Sequence, residues 1–311
     1  MVTPSGRQIR LRAGDYAAVV TEVGATLREL TYRGEDVTKP FAEDQRMQLH
    51  RGGVLAPWPN RIGDGRYTFN GVEHQLAVNE IPRNTAIHGL VNWHAWTVEQ
   101  VSESEATLGT RIWPQPGYDF AVALRIVYAL SADLGLTITL TATNTGTSPA
   151  PYGASIHPYL VADGDTVDGY TLTVPAASLV DVDPARLLPT GATSPVEGTD
   201  LDFREPRVVG TTQLDHPLCD LIGGLDGMAV ARVVGPSGRG AEIVWDPMQC
   251  PWVQVHTADR PDAENNRVAM AIEPMTCPPD AFRTGEGLIV LEPGDASTVW
   301  WTIRGYALPT L

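Results

Sequence analysis

Almost every apolar run in this 311-residue chain alternates with a period of two, and no window of a dozen residues carries a helical repeat of about 3.6 residues. Gln8–Ala13, residues 95–101 and residues 106–112 alternate apolar with polar, and Trp252–His256 is a further strand candidate. Residues 122–130 and 134–144 read as a hairpin with Ser131-Ala132-Asp133 as its turn. Further strands are expected over residues 169–174, 228–234, 241–245, 268–272 and 298–305. The 30 glycines and 25 prolines fall mostly between these runs, as turn punctuation. Many strands at short spacing without intervening helices predict an all-β sandwich or barrel. The longest irregular stretch, residues 180–199, reads as a surface loop or, less simply, a domain boundary. With no repeat, linker or low-complexity tract, the expectation is one domain over residues 1–311.

Composition narrows the partners. A formal net charge of −15 disfavours nucleic acid and anionic membranes, which require a basic face. Lys39 is the only lysine, which reads as base composition of the gene. Three cysteines, Cys219, Cys250 and Cys277, form no Cys-x-x-Cys pair and no even disulfide set. No run approaches the roughly 18 apolar residues of a membrane span. The segment Met1–Arg7 lacks the apolar core of a secretory leader. A cytoplasmic protein with no metal and no cofactor is expected, as a monomer or homodimer.

Three short segments carry acid/base chemistry. His157 lies just past an alternating strand, pinned between Ile156 and Pro158. His88 precedes Gly89, where backbone or ligand can approach closely. Glu273 follows the apolar run Val268–Ile272 and precedes Pro274, which lacks an N–H and is expected to end the strand. A carboxylate so placed tends to a raised pKa unless paired, and two imidazoles can exchange protons near neutral pH. Each has a plainer reading as a salt-bridged or core residue. The other histidines, at 50, 74, 94, 216 and 256, have no comparable context. In the loop Ala56–Tyr67, Asn60 and Arg61 offer an amide and a guanidinium for vicinal hydroxyls, and Trp58 an aromatic face for a sugar ring. Asp215 is a second carboxylate in a loop, and Trp252 is either core or sugar platform. There is no nucleotide-binding glycine motif and no Gly-x-Ser-x-Gly elbow.

Taken together and in order, Asn60-Arg61-Ile62, Gly65-Arg66-Tyr67, His88-Gly89, His157-Pro158-Tyr159, Asp215-His216-Pro217 and Glu273-Pro274 with Pro279-Asp280-Ala281 resemble the aldose 1-epimerase (galactose mutarotase) family. Those pieces span residues 50–285. The resemblance implies a large antiparallel β-sandwich, the galactose mutarotase-like supersandwich, with a sugar in an open cleft on one sheet. It implies that Glu273 takes the proton from the C1 hydroxyl, that His157 protonates the ring oxygen, and that His88 hydrogen-bonds nearby. Arg61 and Asp215 would hold sugar hydroxyls. Three other readings compete. A hexose 6-phosphate 1-epimerase would need arginines converging on phosphate, with Arg51, Arg61, Arg66 and Arg83 as candidates. A silent carbohydrate-binding module would not need Glu273 together with His157. A glycoside hydrolase would want two flanking carboxylates, where only Glu273 and Asp215 qualify.

Overall fold

A computed structural model describes residues 3–307. Met1 and Val2, which open the segment read for a leader, lie outside the described residues. Two antiparallel sheets dominate. The ten-stranded sheet runs Gln8–Ala13, Tyr16–Thr21, Leu27–Tyr32, Glu35–Thr38, Tyr159–Leu160, Met270–Met275, Trp252–His256, Asp215–Leu221, Ala176–Val182, Pro189–Pro195. The nine-stranded sheet runs Thr97–Val101, Glu105–Ile112, Val122–Ser131, Gly135–Asn144, Ala296–Ala307, Arg239–Trp245, Ala229–Val234, Thr171–Thr173, Arg207–Val208. The expected hairpin pairs in continuous register from Val122↔Asn144 to Ser131↔Gly135. Its buried positions alternate through Val122–Ser131 and from Leu136 to Asn144, so one face of each strand enters the core and the other is more exposed.

The apolar faces of both sheets meet in one core cluster. Trp245 and Trp301 sit opposite each other in register there, fully buried. Their indole N–H groups donate to the carbonyls of Cys250 and Pro274, so these large rings enter the core without an orphaned donor. Burying each contributes on the order of 2–3 kcal/mol. Among the described residues no helix is long and apolar enough to cross a membrane.

Alternation also builds the functional face. Met270 and Ile272 point into the core, whereas Ala269 and Ala271 point the other way and form a second small cluster with Tyr159 and Ala258. Glu273 continues that second row. On the neighbouring strand, Val253 and Val255 are core residues and Gln254 and His256 share the face of Glu273, which sits directly across from Gln254.

Two expectations are corrected. Pro274 does not end its strand, which runs on to Met275 with Pro274 opposite Val253. The Pro274 carbonyl accepts from the Ser155 hydroxyl and the Trp301 indole. The stretch 180–199 is mostly a hairpin, Ala176–Val182 with Pro189–Pro195, at the edge of the ten-stranded sheet.

Candidate active site

A cleft of about 510 Å³ opens on the outer face of the ten-stranded sheet, with Glu273 on its floor. Short local pairings deliver the other groups. Ser155-Ile156 pairs with Val54-Leu55, and the His157 backbone bonds to Gly52 and Gly53. That fixes His157 beside Glu273, with Nε2 3.4 Å from Oε1. Arg61–Gly63 pairs with Thr85–Ile87, which sets His88 next to Arg61. His88 is itself left-handed (φ 64°), followed by Gly89 at φ 74°. A Cβ at Gly89 would lie 2.0 Å from the Ala56 carbonyl oxygen, so only glycine permits this approach. Asp280 closes the arrangement: its carboxylate accepts from the Gly63 N–H at 2.8 Å and its own N–H donates to the Arg61 carbonyl.

The imidazoles of His88 and His157 lie 5.1 Å apart between centroids. A third, His50, lies 4.6 Å from His88 and 6.2 Å from His157. It reaches the cleft from two successive left-handed residues, Leu49 (φ 51°) and His50 (φ 57°). Nδ1 of all three rings and Oε2 of Glu273 are buried without a hydrogen-bond partner in the protein. Unpaired buried polar atoms are costly and are characteristic of sites that await a ligand. One ligand atom each from His88, His157 and Glu273 lies within 4.8 Å of the others, close enough to hold a metal ion. Metal-binding histidines normally donate their second ring N–H to a partner that fixes the tautomer. Here those nitrogens are free, and the donor set suits proton exchange better than ligation.

Hydroxyl-binding groups form a continuous chain across the cleft. Gln254 donates to Asp215 at 2.7 Å and accepts from Asn60 at 3.2 Å. Asn60 accepts from the Arg61 backbone N–H at 2.9 Å. Arg61 forks onto Glu80 at 2.8 and 3.0 Å. Glu80 also accepts from Arg83 at 2.9 Å and from Thr85 at 2.6 Å.

Electrostatics follow burial. Desolvation pushes Glu273 well above the usual carboxylate range; nearby Asp215 adds to this and Arg61 opposes it. Desolvation also drives His157 and His88 well below the ordinary histidine value, reinforced by neighbouring imidazoles, and lowers His50 to about 4. Both shifts oppose charge separation across the 3.4 Å contact. Burial would raise Glu80 too, but its bonds from Arg61 and Thr85 and the charge of Arg83 outweigh it and hold the carboxylate below its usual value.

Glu273, His157, His88, Arg61, Asn60 and Asp215 thus converge on one cleft. Trp58 does not: it is 2% exposed, edge-on to Phe282, with its indole N–H on the Ala86 carbonyl. Trp252 lies outside the cleft, with its ring against Gly287. Asp215 begins a strand rather than sitting in a loop. His50 and His256, set aside on sequence, line the cleft together with Glu80, Gln254 and Arg260. Alternation in Val253-Gln254-Val255-His256 was the available signal for two of these, since it puts both polar side chains on the non-core face. Of the arginines considered for phosphate, Arg61 and Arg83 are taken by Glu80, and Arg66 is exposed against Gln75. Arg51 lies behind Tyr159, outside the cleft.

A family model described as aldose 1-epimerase matches residues 7–304. The chain is 36% identical over 301 residues to the uncharacterized protein YihR of Escherichia coli, covering 97% of this chain and 94% of that one. It is 28% identical over 246 residues to human galactose mutarotase, covering 73% and 68%. Among solved structures, an aldose epimerase homologue from C. elegans superposes with a TM-score of 0.86 at 21% identity, covering 97% and 99%. A galactose 1-epimerase from Lactobacillus acidophilus gives 0.76 at 20%, covering 95% and 93%.

Proposed function

The chain belongs to the aldose 1-epimerase family, and from that premise we propose that it interconverts the α and β anomers of a free aldohexose by acid/base ring opening and closure. The observation that carries this is the contact of Glu273 Oε1 with His157 Nε2, 3.4 Å apart on the floor of a polar cleft. Ring opening removes a proton from the C1 hydroxyl and delivers one to the ring oxygen. The C1–O5 bond breaks, its electron pair stays on O5, and C1 becomes a carbonyl. Rotation about C1–C2 presents the other carbonyl face, and the reverse transfers close the ring. A carboxyl and an imidazole sharing one proton complete this cycle with no net gain or loss. In the assignment we adopt, Glu273 is the base at O1 and His157 the acid at O5. Burial disfavours the charged form of each, so the neutral pair is the favoured one, and the polar groups of the bound sugar must stabilise the carboxylate and imidazolium from which ring opening starts. His88, also kept neutral, offers a further hydrogen bond near the ring oxygen. Arg61, Asn60, Gln254 and Asp215 supply donors and acceptors to the remaining hydroxyls. As a single domain in the cytoplasm, such an enzyme would need only its sugar as partner.

This reading predicts the pH profile. The active form carries one proton on the pair. A second proton must enter an imidazole whose pKa is pushed down, and the last must leave a carboxyl whose pKa is pushed up. The plateau of kcat/KM should therefore begin below the ordinary histidine pKa of about 6.5 and extend far above the ordinary glutamate value of about 4.3. Polarimetry across pH 4–10 checks it; an acid limb centred above the ordinary histidine value would contradict it.

One observation favours a second reading. Arg260 lines the cleft with no carboxylate in ion-pair range among the described residues, and its Nε is buried and unpartnered. A cation left free in a cleft of a strongly acidic chain suits an aldose carrying an anionic substituent such as a phosphate.

A further inference from the structure

Directly behind the cleft lies a second pocket of about 420 Å³, lined by Arg28, Lys39, Gln45, Gln48, Arg51 and Glu264 with further residues. Arg51 is its anomaly. The residue is 5% exposed, yet its guanidinium has no carboxylate in ion-pair range among the described residues. It makes one hydrogen bond, from Nη2 to Asn265 Oδ1 at 2.6 Å, and its Nε is buried without a partner. Burial lowers its pKa, with the charges of Glu264 and Asp262 opposing that only from a distance. An uncompensated buried cation is among the costlier features a fold can carry. Arg28, 7% exposed, repeats the pattern in part: it pairs with Glu29 at 3.2 Å and the Phe41 carbonyl, and its Nε is also orphaned. The chain's only lysine, Lys39, completes the rim without an ion pair among the described residues. Three cations thus face two carboxylates, Glu29 and Glu264, and Glu29 is already engaged.

We infer that this pocket binds a phosphate group, and that it communicates with the catalytic pair through Tyr159. The Arg51 guanidinium lies over the Tyr159 ring at 5.7 Å from its centroid. His157 stacks on that same ring, parallel to it at 8° and 5.1 Å away. The Lys39 backbone N–H donates to the Tyr159 carbonyl at 2.8 Å. A phosphate drawing Arg51 and Lys39 towards itself therefore acts on both the ring and the backbone of the residue that backs His157. The two Gln side chains supply neutral donors, and charge-assisted bonds from the arginines supply the attraction.

Calorimetry with inorganic phosphate on the full chain at low ionic strength tests the site, with chloride at matched ionic strength as control. The expected result is saturable binding, weakened about tenfold or more in Arg51→Gln and tightened in Glu264→Gln, which removes the opposing charge. Saturating glucose should leave it unchanged, because the sugar cleft is separate. Heat absent up to about 10 mM phosphate, equal binding by Arg51→Gln, or displacement by glucose would each overturn the site. The last outcome would place phosphate at Arg260 instead. The coupling, which alone rests on the proposed mutarotation, is read from the rate on a neutral aldose: phosphate should shift kcat or KM in the wild type and not in Arg51→Gln. Binding without such a shift retains the site and overturns the coupling.

Discussion

Glu273→Gln is expected to lower kcat for anomer exchange by about 10²–10⁴-fold, the range that a positioned general acid or base contributes. The amide keeps the shape and one acceptor of the carboxyl but cannot take the C1 proton. Sugar affinity should change little, since the chain from Asp215 through Gln254 and Asn60 to Arg61 does not run through Glu273. Stability should move the other way. A group whose folded pKa is raised contributes stability at low pH that is lost as pH rises through the folded value. Glu273 is such a group, 1% exposed and pushed up by burial. The Gln variant should therefore match the wild type only below the unfolded glutamate value of about 4.3, and unfold at a higher temperature than it at pH 9–10. Stopped polarimetry and thermal unfolding read the two effects separately. A variant with wild-type rate would remove Glu273 from the mechanism, and one that loses sugar binding in proportion to rate would make it a binding residue instead.

The second large effect belongs to Arg61. Arg61→Ala leaves Glu80 with Arg83 and Thr85 but without its bidentate partner, in a place where its side chain is only 15% exposed. Breaking a buried pair from one side costs about 3–5 kcal/mol, and the residual partners put this case at the lower end, about 3 kcal/mol. KM should rise at the same time, because the guanidinium's remaining donor capacity faces the cleft. The double variant Arg61→Ala/Glu80→Gln separates the two roles: it removes the stranded charge and should recover most of the urea midpoint, while KM stays high. Recovery of KM in the double variant would show that Arg61 serves only Glu80.

The sandwich was legible because its core strands alternate cleanly, as in Val122–Ser131 against Gly135–Asn144. The hairpin hidden in residues 180–199 was not, because Pro189–Pro195 is an edge strand exposed along most of its length and carries no apolar row. Pro274 misled for a related reason: the rule that proline ends a strand concerns the missing N–H, and here the neighbouring ladder tolerates the gap while side chains satisfy its carbonyl. In the cleft, Glu273, His157, His88, Asn60, Arg61 and Asp215 could be named because each sits in a short recognisable segment. His50, Glu80 and Arg260 have no local signature; His50 acquires its place only when Val54 and Leu55 pair with Ile156 and Ser155. Trp58 failed as a platform because a loop tryptophan reads alike whether its ring faces sugar or Phe282.

Anomer exchange measured at equilibrium by NMR, over a panel of free aldohexoses and their 6-phosphates, tests the central claim most directly. Exchange faster than in buffer, in proportion to enzyme concentration, is expected for at least one aldose and is abolished by Glu273→Gln. Exchange at the buffer rate for every neutral and phosphorylated sugar would contradict it, and the cleft would then be a sugar-binding site without chemistry.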